Sequence, residues 1–176
     1  MLQDRPSHVD IPEGQWKEMM QNVLNGIFRK LNAIKSMQNF DMYIAAGIYI
    51  YAVEEFGKLL LLKNANALSG MRRVVYEKEF LSHPKKFKAA FDYFQANRYD
   101  ACLVLSEGDV VISDVVWSDA IIGLLANTGA RLSVFYSDFA YDRSLNVIIE
   151  TPPAIDLGLL QKASNELERA SNELLI

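Results

Sequence analysis

The chain predicts an all-α fold, an up-and-down bundle of about five helices. Three observations carry that prediction. Apolar residues recur at three- and four-residue steps over long segments near both ends of the chain. A central stretch, Phe40 to Lys63, is hydrophobic on nearly every side, the pattern of a helix buried all round. Asp, Ser and Pro stand where helices would start, and Asn, Ser and Gly where they would stop. Tyr99 to Trp117 is the exception, because β-rich runs flank Glu107-Gly108-Asp109 there. Residues 99–117 read either as one small β-hairpin or as an irregular insertion packed on the bundle.

Residues 1–12 are expected to be a flexible arm, polar, without period and holding Pro6 and Pro12; order there would depend on docking. A single helical domain then spans residues 13–176. Its first helix begins near Pro12, with Asp10 available as a cap, and carries Trp16, Met19 or Met20, Val23, Ile27, Leu31 and Ile34 along one face. The second runs from about Asn39 to Asn64, with Asn39 or Asp41 at its start. A third helical pattern starts near Met71, through RRVVYEKEFL, and ends before Pro84. Ser82 then caps a fourth, with Pro84 in its first turn and Phe87, Ala90, Phe91 and Phe94 on one face. From Ser118 the chain reads as helix again through DAIIGLLANTGARLSVFYSDF, to Phe139, although Gly123 and Gly129 weaken the pattern. YDRSLNVIIETPP reads as a short arm or hairpin closed by Pro152-Pro153, and Ile155 to Ile176 as a final amphipathic helix.

Composition narrows the class. A chain of 176 residues, 51% hydrophobic and 23% charged, can bury a proper core and is not a disordered one. Its opening residues lack the apolar core of a secretory leader. Met42 to Val53 is too short to span a bilayer, and extending it draws in Glu54, Glu55 and Lys58, so no membrane association is expected. The lone Cys102 excludes an internal disulfide and fits a reducing cytoplasm. With one cysteine and two histidines, neither a metal nor another cofactor is expected. The net charge of −4 is uneven: residues 72–100 carry seven basic and four acidic side chains, whereas residues 101–176 carry four and eleven. Generic nucleic-acid coating is thereby disfavoured, but the basic middle segment could hold a local phosphate path or be simply a solvated face.

Candidate chemistry starts from the charges that interrupt the central helix. Glu54 and Lys58 stand one turn apart on one stripe, and Glu55 points about a quarter turn away. Exposed, such a pair contributes about 0.2–0.5 kcal/mol. Buried, it adds little net stability over apolar residues, so a functional role and a core ion-pair network both stand. A dinuclear metal bundle needs two Glu-x-x-His motifs, whereas here Glu79 and His83 form a lone pair at a spacing of four. His83 beside Lys85, Lys86 and Arg72 or Arg73 supplies a proton-transfer group and cations, the types that RNA cleavage by its own 2′-hydroxyl requires without a metal. Gly57, inside the helix, would permit a close helix approach.

The order YIAAGIYIYAVEEFGKLLLL, FLSHPKKF, RLSVFYSDF and a Pro-preceded terminal helix resembles the AbiV-type abortive infection family of the HEPN superfamily. The likeness covers roughly Trp16 to Leu175. Its most specific part is Ala52, Glu54, Glu55, Gly57 and Lys58 with His83 and Lys86 downstream; Arg131, Tyr136 and Asp138 are the weaker part. The resemblance implies a HEPN-like up-and-down bundle, homodimerisation through helices, and a toxin-like role in bacterial phage defence. Many HEPN proteins are metal-independent ribonucleases or toxins that attack RNA; the alternative for this chain is a non-catalytic HEPN module that binds nucleotide, or a phage or host protein, and inhibits by occupancy. The usual Arg, four to six residues, His signature of the superfamily is absent: Arg72 and Arg73 stand too far before His83, and Arg5 too close to His8. The expected catalytic set is Glu54, Glu55, Lys58 and His83, with Glu54 orienting Lys58 or His83. Arg72, Arg73, Lys85, Lys86 and Arg131 are expected to hold phosphate or RNA.

Overall fold

The computed structural model describes residues 8–65, 72–76, 80–99, 138–141, 147–150 and 157–175. Among them the fold is an all-α bundle of four helices, with two short antiparallel ribbons, the first of which lies against the first helix. Strand β1 (His8–Pro12) leads directly into α1 (Glu13–Met37), and a tight turn leads into α2 (Met42–Asn64). Strand β2 (Arg72–Tyr76), helix α3 (His83–Ala96), strands β3 (Asp138–Tyr141) and β4 (Val147–Glu150), and helix α4 (Leu157–Glu173) follow.

Helix α2 is the centre. It packs between α1 and α3, and α4 lies against α1 and α2. Ala45, Ala46, Tyr49, Ile50, Val53, Phe56, Leu59 and Leu62 are all buried, which is why this segment could be apolar on several sides. The Asp41 side chain caps it, accepting from the backbone N–H groups of Tyr43 and Ile44 at 3.0 Å each. Helix α1 presents the expected stripe, with Trp16, Met20, Val23, Ile27, Leu31 and Ile34 inward. The Trp16 indole donates to the Leu62 carbonyl at 3.1 Å, tying the start of α1 to the end of α2. At the far end of α1, Lys35 meets Glu168 of α4 at 2.7 Å. Helix α3 contributes Phe87, Phe91 and Phe94; Phe94 stacks on Phe56 with centroids 5.2 Å apart.

Three features differ from the sequence reading. The helix expected from Met71 through Leu81 is not the conformation of Arg72–Tyr76, which forms strand β2. Val74, Val75 and Tyr76 favour a pleated backbone, and β1 supplies the partner, from His8 opposite Tyr76 to Pro12 opposite Arg72. Helix α1 starts at Glu13 with Pro12 in the capping position, so Asp10 does not cap it; Asp10 is paired with Val74 in the ribbon. Over YDRSLNVIIETPP, expected to be a short arm or hairpin, β4 pairs with β3, from Asp138 opposite Glu150 to Tyr141 opposite Val147, and β3 starts three residues before that segment. The expected hairpin or insertion at residues 99–117, Tyr99 excepted, and most of the helix expected from Ser118 lie outside the described residues; the end of that helical run, Asp138 and Phe139, is strand instead, because β4 pairs with it.

Candidate functional site

Glu54 sits just past the middle of α2, on the face turned towards α3. The residue is only 7% exposed. On α3, Ser82 caps the N-terminus, its hydroxyl accepting from the Lys85 backbone N–H at 3.5 Å, and Pro84 occupies the first turn. That start places His83 and Lys86 three residues apart, hence on one face, and both reach Glu54. The Lys86 ammonium lies 2.6 Å from Glu54 Oε1, and His83 Nδ1 lies 2.7 Å from the same oxygen.

Close approach of the two helices makes these distances possible. A Cβ built on Gly57 would stand 1.8 Å from the Lys86 carbonyl oxygen. No side chain fits there, so a glycine one turn beyond Glu54 lets the α3 backbone come within reach of the carboxylate.

Burial alone pushes the Glu54 carboxyl up. The hydrogen bond and charge of Lys86, and then those of His83, outweigh that push and hold it below the ordinary glutamate value. An ionised carboxylate only accepts hydrogen bonds, so Nδ1 of His83 carries the hydrogen of this contact. Nε2 is then the ring atom that takes up or gives a proton. Lys86 is 8% exposed, whereas the His83 side chain is 42% exposed. The carboxylate is thus held from inside by a buried ammonium and orients an imidazole that solvent reaches.

Of the residues predicted for the site, Glu54, His83 and Lys86 converge. The predicted Glu54–Lys58 pair does not form. Lys58 turns to Glu55 at 3.6 Å, and its ammonium lies 5.1 Å from the centroid of Phe80. The physical reason is competition: Lys86 and His83 arrive from α3 and occupy Glu54 Oε1, so Lys58 takes the acceptor three residues back. Lys85 stands about 100° round α3 from Lys86 and is exposed on another flank. Arg72 and Arg73 lie in β2 opposite Pro12 and Ile11; their side chains, and Arg131 altogether, lie outside the described residues. Sequence reasoning gave Lys86 to phosphate and missed it as the partner of Glu54. The His-x-x-Lys spacing after a Ser-x-Pro start was the signal that both side chains share one face.

Among the described residues no group of three or more His, Cys, Asp or Glu side chains gathers to hold a metal ion, and no helix is long and apolar enough to cross a membrane. Tyr99 and Tyr93 have hydroxyls pushed up, first by burial and then by Glu173, and they belong to the aromatic packing of α3.

Fold and site together define a helical bundle built round a buried carboxylate that holds one ammonium and one half-exposed imidazole. No protein-family model matches this chain, and neither the curated proteins nor the solved structures give a significant match.

Proposed function

We propose that this chain is an abortive-infection effector of the HEPN kind, acting as a metal-independent endoribonuclease. The observation that carries the proposal is the 2.7 Å contact between His83 Nδ1 and buried Glu54, with the imidazole half exposed. The likeness of its EE-x-G-K helix and following His-x-x-Lys to AbiV-type sequences supports the biological setting. In the reaction His83 Nε2 takes the proton of an RNA 2′-hydroxyl as that oxygen attacks the adjacent phosphorus. The P–O5′ bond breaks, and the imidazolium returns the proton to the leaving 5′-oxygen. The products are a 2′,3′-cyclic phosphate and a 5′-hydroxyl. Glu54 fixes the tautomer and stabilises the imidazolium, and Lys86 keeps Glu54 ionised. In this reading the phosphate is held by the arginines expected from the sequence, Arg72, Arg73 or Arg131.

The test uses purified protein with tRNA, rRNA and mRNA in a metal chelator, beside a His83→Ala variant. Cleavage to cyclic-phosphate ends is expected, with a loss of about 100-fold or more in the variant, the usual worth of a positioned proton-transfer group. Intact RNA, together with undiminished growth inhibition by His83→Ala, overturns the proposal. A second reading has one observation in its favour: Lys86 is already engaged by Glu54 and so offers little to a phosphate. In that reading the chain is a non-catalytic HEPN module that binds nucleotide, or a phage or host protein, and inhibits by occupancy.

A further inference from the structure

Away from Glu54, an open groove of about 500 Å3 lies between the C-terminal half of α2, the outer flank of α3 and the end of α4. Its floor is aliphatic: Leu60 and Leu61 from α2, Ala89 from α3 and Leu174 just beyond α4. Its rim is basic, with Lys63 from the last turn of α2 and Lys85 and Lys88 from successive turns of α3. Among the described lining residues the acid is Asp92, and it is held by Lys88 at 3.0 Å. We infer that this groove docks an acidic amphipathic helix of a partner protein, its apolar side chains on the leucine floor and its carboxylates on the lysine rim.

Charge and surface chemistry together select that occupant. The chain carries a net charge of −4, so an acidic partner is repelled by the molecule as a whole and drawn only to a local excess of lysine. Lysine stems extend the apolar floor while their ammonium groups stay in water, which suits a helix with one apolar stripe and acidic flanks. A single-stranded nucleic acid would want an open aromatic face for its bases. The aromatic among the described lining residues, Tyr93, stacks on Tyr99 at 6.0 Å and meets Phe56 edge-on at 5.4 Å, so its ring is already engaged by two others. Aliphatic side chains make up the rest of the floor, and they favour leucine-type anchors over bases. Helix α3 then serves two surfaces: His83 and Lys86 face Glu54, while Lys85, Lys88 and Ala89 face the groove. The inference does not rest on the ribonuclease reading.

The probe is a labelled synthetic helix of about 16 residues, roughly 24 Å long, with Leu on one stripe and Glu on its flanks. Its fluorescence anisotropy is followed on titration with the full chain, in parallel with an RNA oligonucleotide of matched charge. The expected result is peptide binding that weakens with salt and falls about tenfold or more in Lys63→Glu/Lys88→Glu, through loss of charge complementarity. The same variant is expected to bind a peptide whose Glu residues are replaced by Lys. Both substitutions are at exposed positions, and circular dichroism verifies that the variant is folded before it is titrated. The inference is overturned by failure of the Glu peptide to bind, by binding indifferent to charge reversal, or by RNA binding with the same sensitivity to Lys63→Glu/Lys88→Glu.

Discussion

Glu54 is the residue on which the interior polar chemistry turns. Taking a carboxylate out of water is costly, and here two donors share one of its oxygens at 2.6 and 2.7 Å to offset that cost. Replacing it with a neutral residue leaves the buried ammonium of Lys86 without its counter-charge. Glu54→Gln is therefore expected to lower stability by about 3–5 kcal/mol, the range for breaking one half of a buried pair, measured by urea denaturation at neutral pH. Replacing both partners by apolar residues should behave differently. Glu54→Leu with Lys86→Met is expected to unfold within about 1 kcal/mol of the parent, or to be more stable, because neither charge is then left buried. The acid limb gives a separate expectation. The folded Glu54 value lies below the unfolded one, so its stabilisation is complete above the ordinary carboxyl value, about 4.3. It is lost as pH falls through the lower folded value. In Tm against pH, the parent should therefore lose stability more steeply than Glu54→Gln below about pH 4.3.

At the scale of elements, the contact between α2 and α3 is set by one missing side chain. Gly57 costs the helix some conformational freedom, and it returns a backbone approach that no other residue allows. The obstacle to a methyl group there is the Lys86 carbonyl, part of a helix, and it cannot swing aside as a flexible side chain could. Gly57→Ala is expected to cost about 3 kcal/mol in thermal or chemical unfolding, the upper end for overpacking, despite the better intrinsic helix propensity of alanine. Because the forced shift carries His83 and Lys86 away from Glu54, it should also diminish any His83-dependent activity. The same scale explains the strand at Arg72–Tyr76. Its short apolar run does not by itself distinguish helix from strand, and the decision came from a partner far upstream, since His8 pairs with Tyr76.

At the scale of the molecule, segments distant in sequence close one core. Ile11 of β1 is 4% exposed and belongs to the same cluster as Trp16, Leu59 and Leu62. The ribbon is thus attached to the bundle through an apolar anchor as well as through β2. Ile11→Ala is expected to cost about 2–5 kcal/mol, as for other buried aliphatic truncations, and to lower the urea midpoint with the slope unchanged. A cost near zero would mean that the segment before α1 contributes nothing to the cooperative unit. The net acidity of the chain acts at this scale too, because it leaves the lysine rim beside Leu60 and Leu61 as a local exception.

Much of this arrangement was legible in the sequence, because it follows from local periodicity and punctuation. The stripe from Trp16 to Ile34, the all-round apolar run before Glu54, the Asp41 and Ser82 caps and the phenylalanine face of α3 each depend on spacing within a single helix. The need for close packing at Gly57, and the importance of charges inserted into an apolar helix, were legible for the same reason. The partners of those charges were not. A helix presents Glu54 to Lys58 by its own geometry, and only the arrival of α3 decided that Lys86 and His83 take the carboxylate while Lys58 turns to Glu55. Pairing across 29 and 32 residues depends on how closely two helices pack and at what register, which is a property of the closed core. Sequence by itself determined that a carboxylate would be buried in α2; tertiary structure decided what it holds, because a buried charge takes the donors that packing brings nearest.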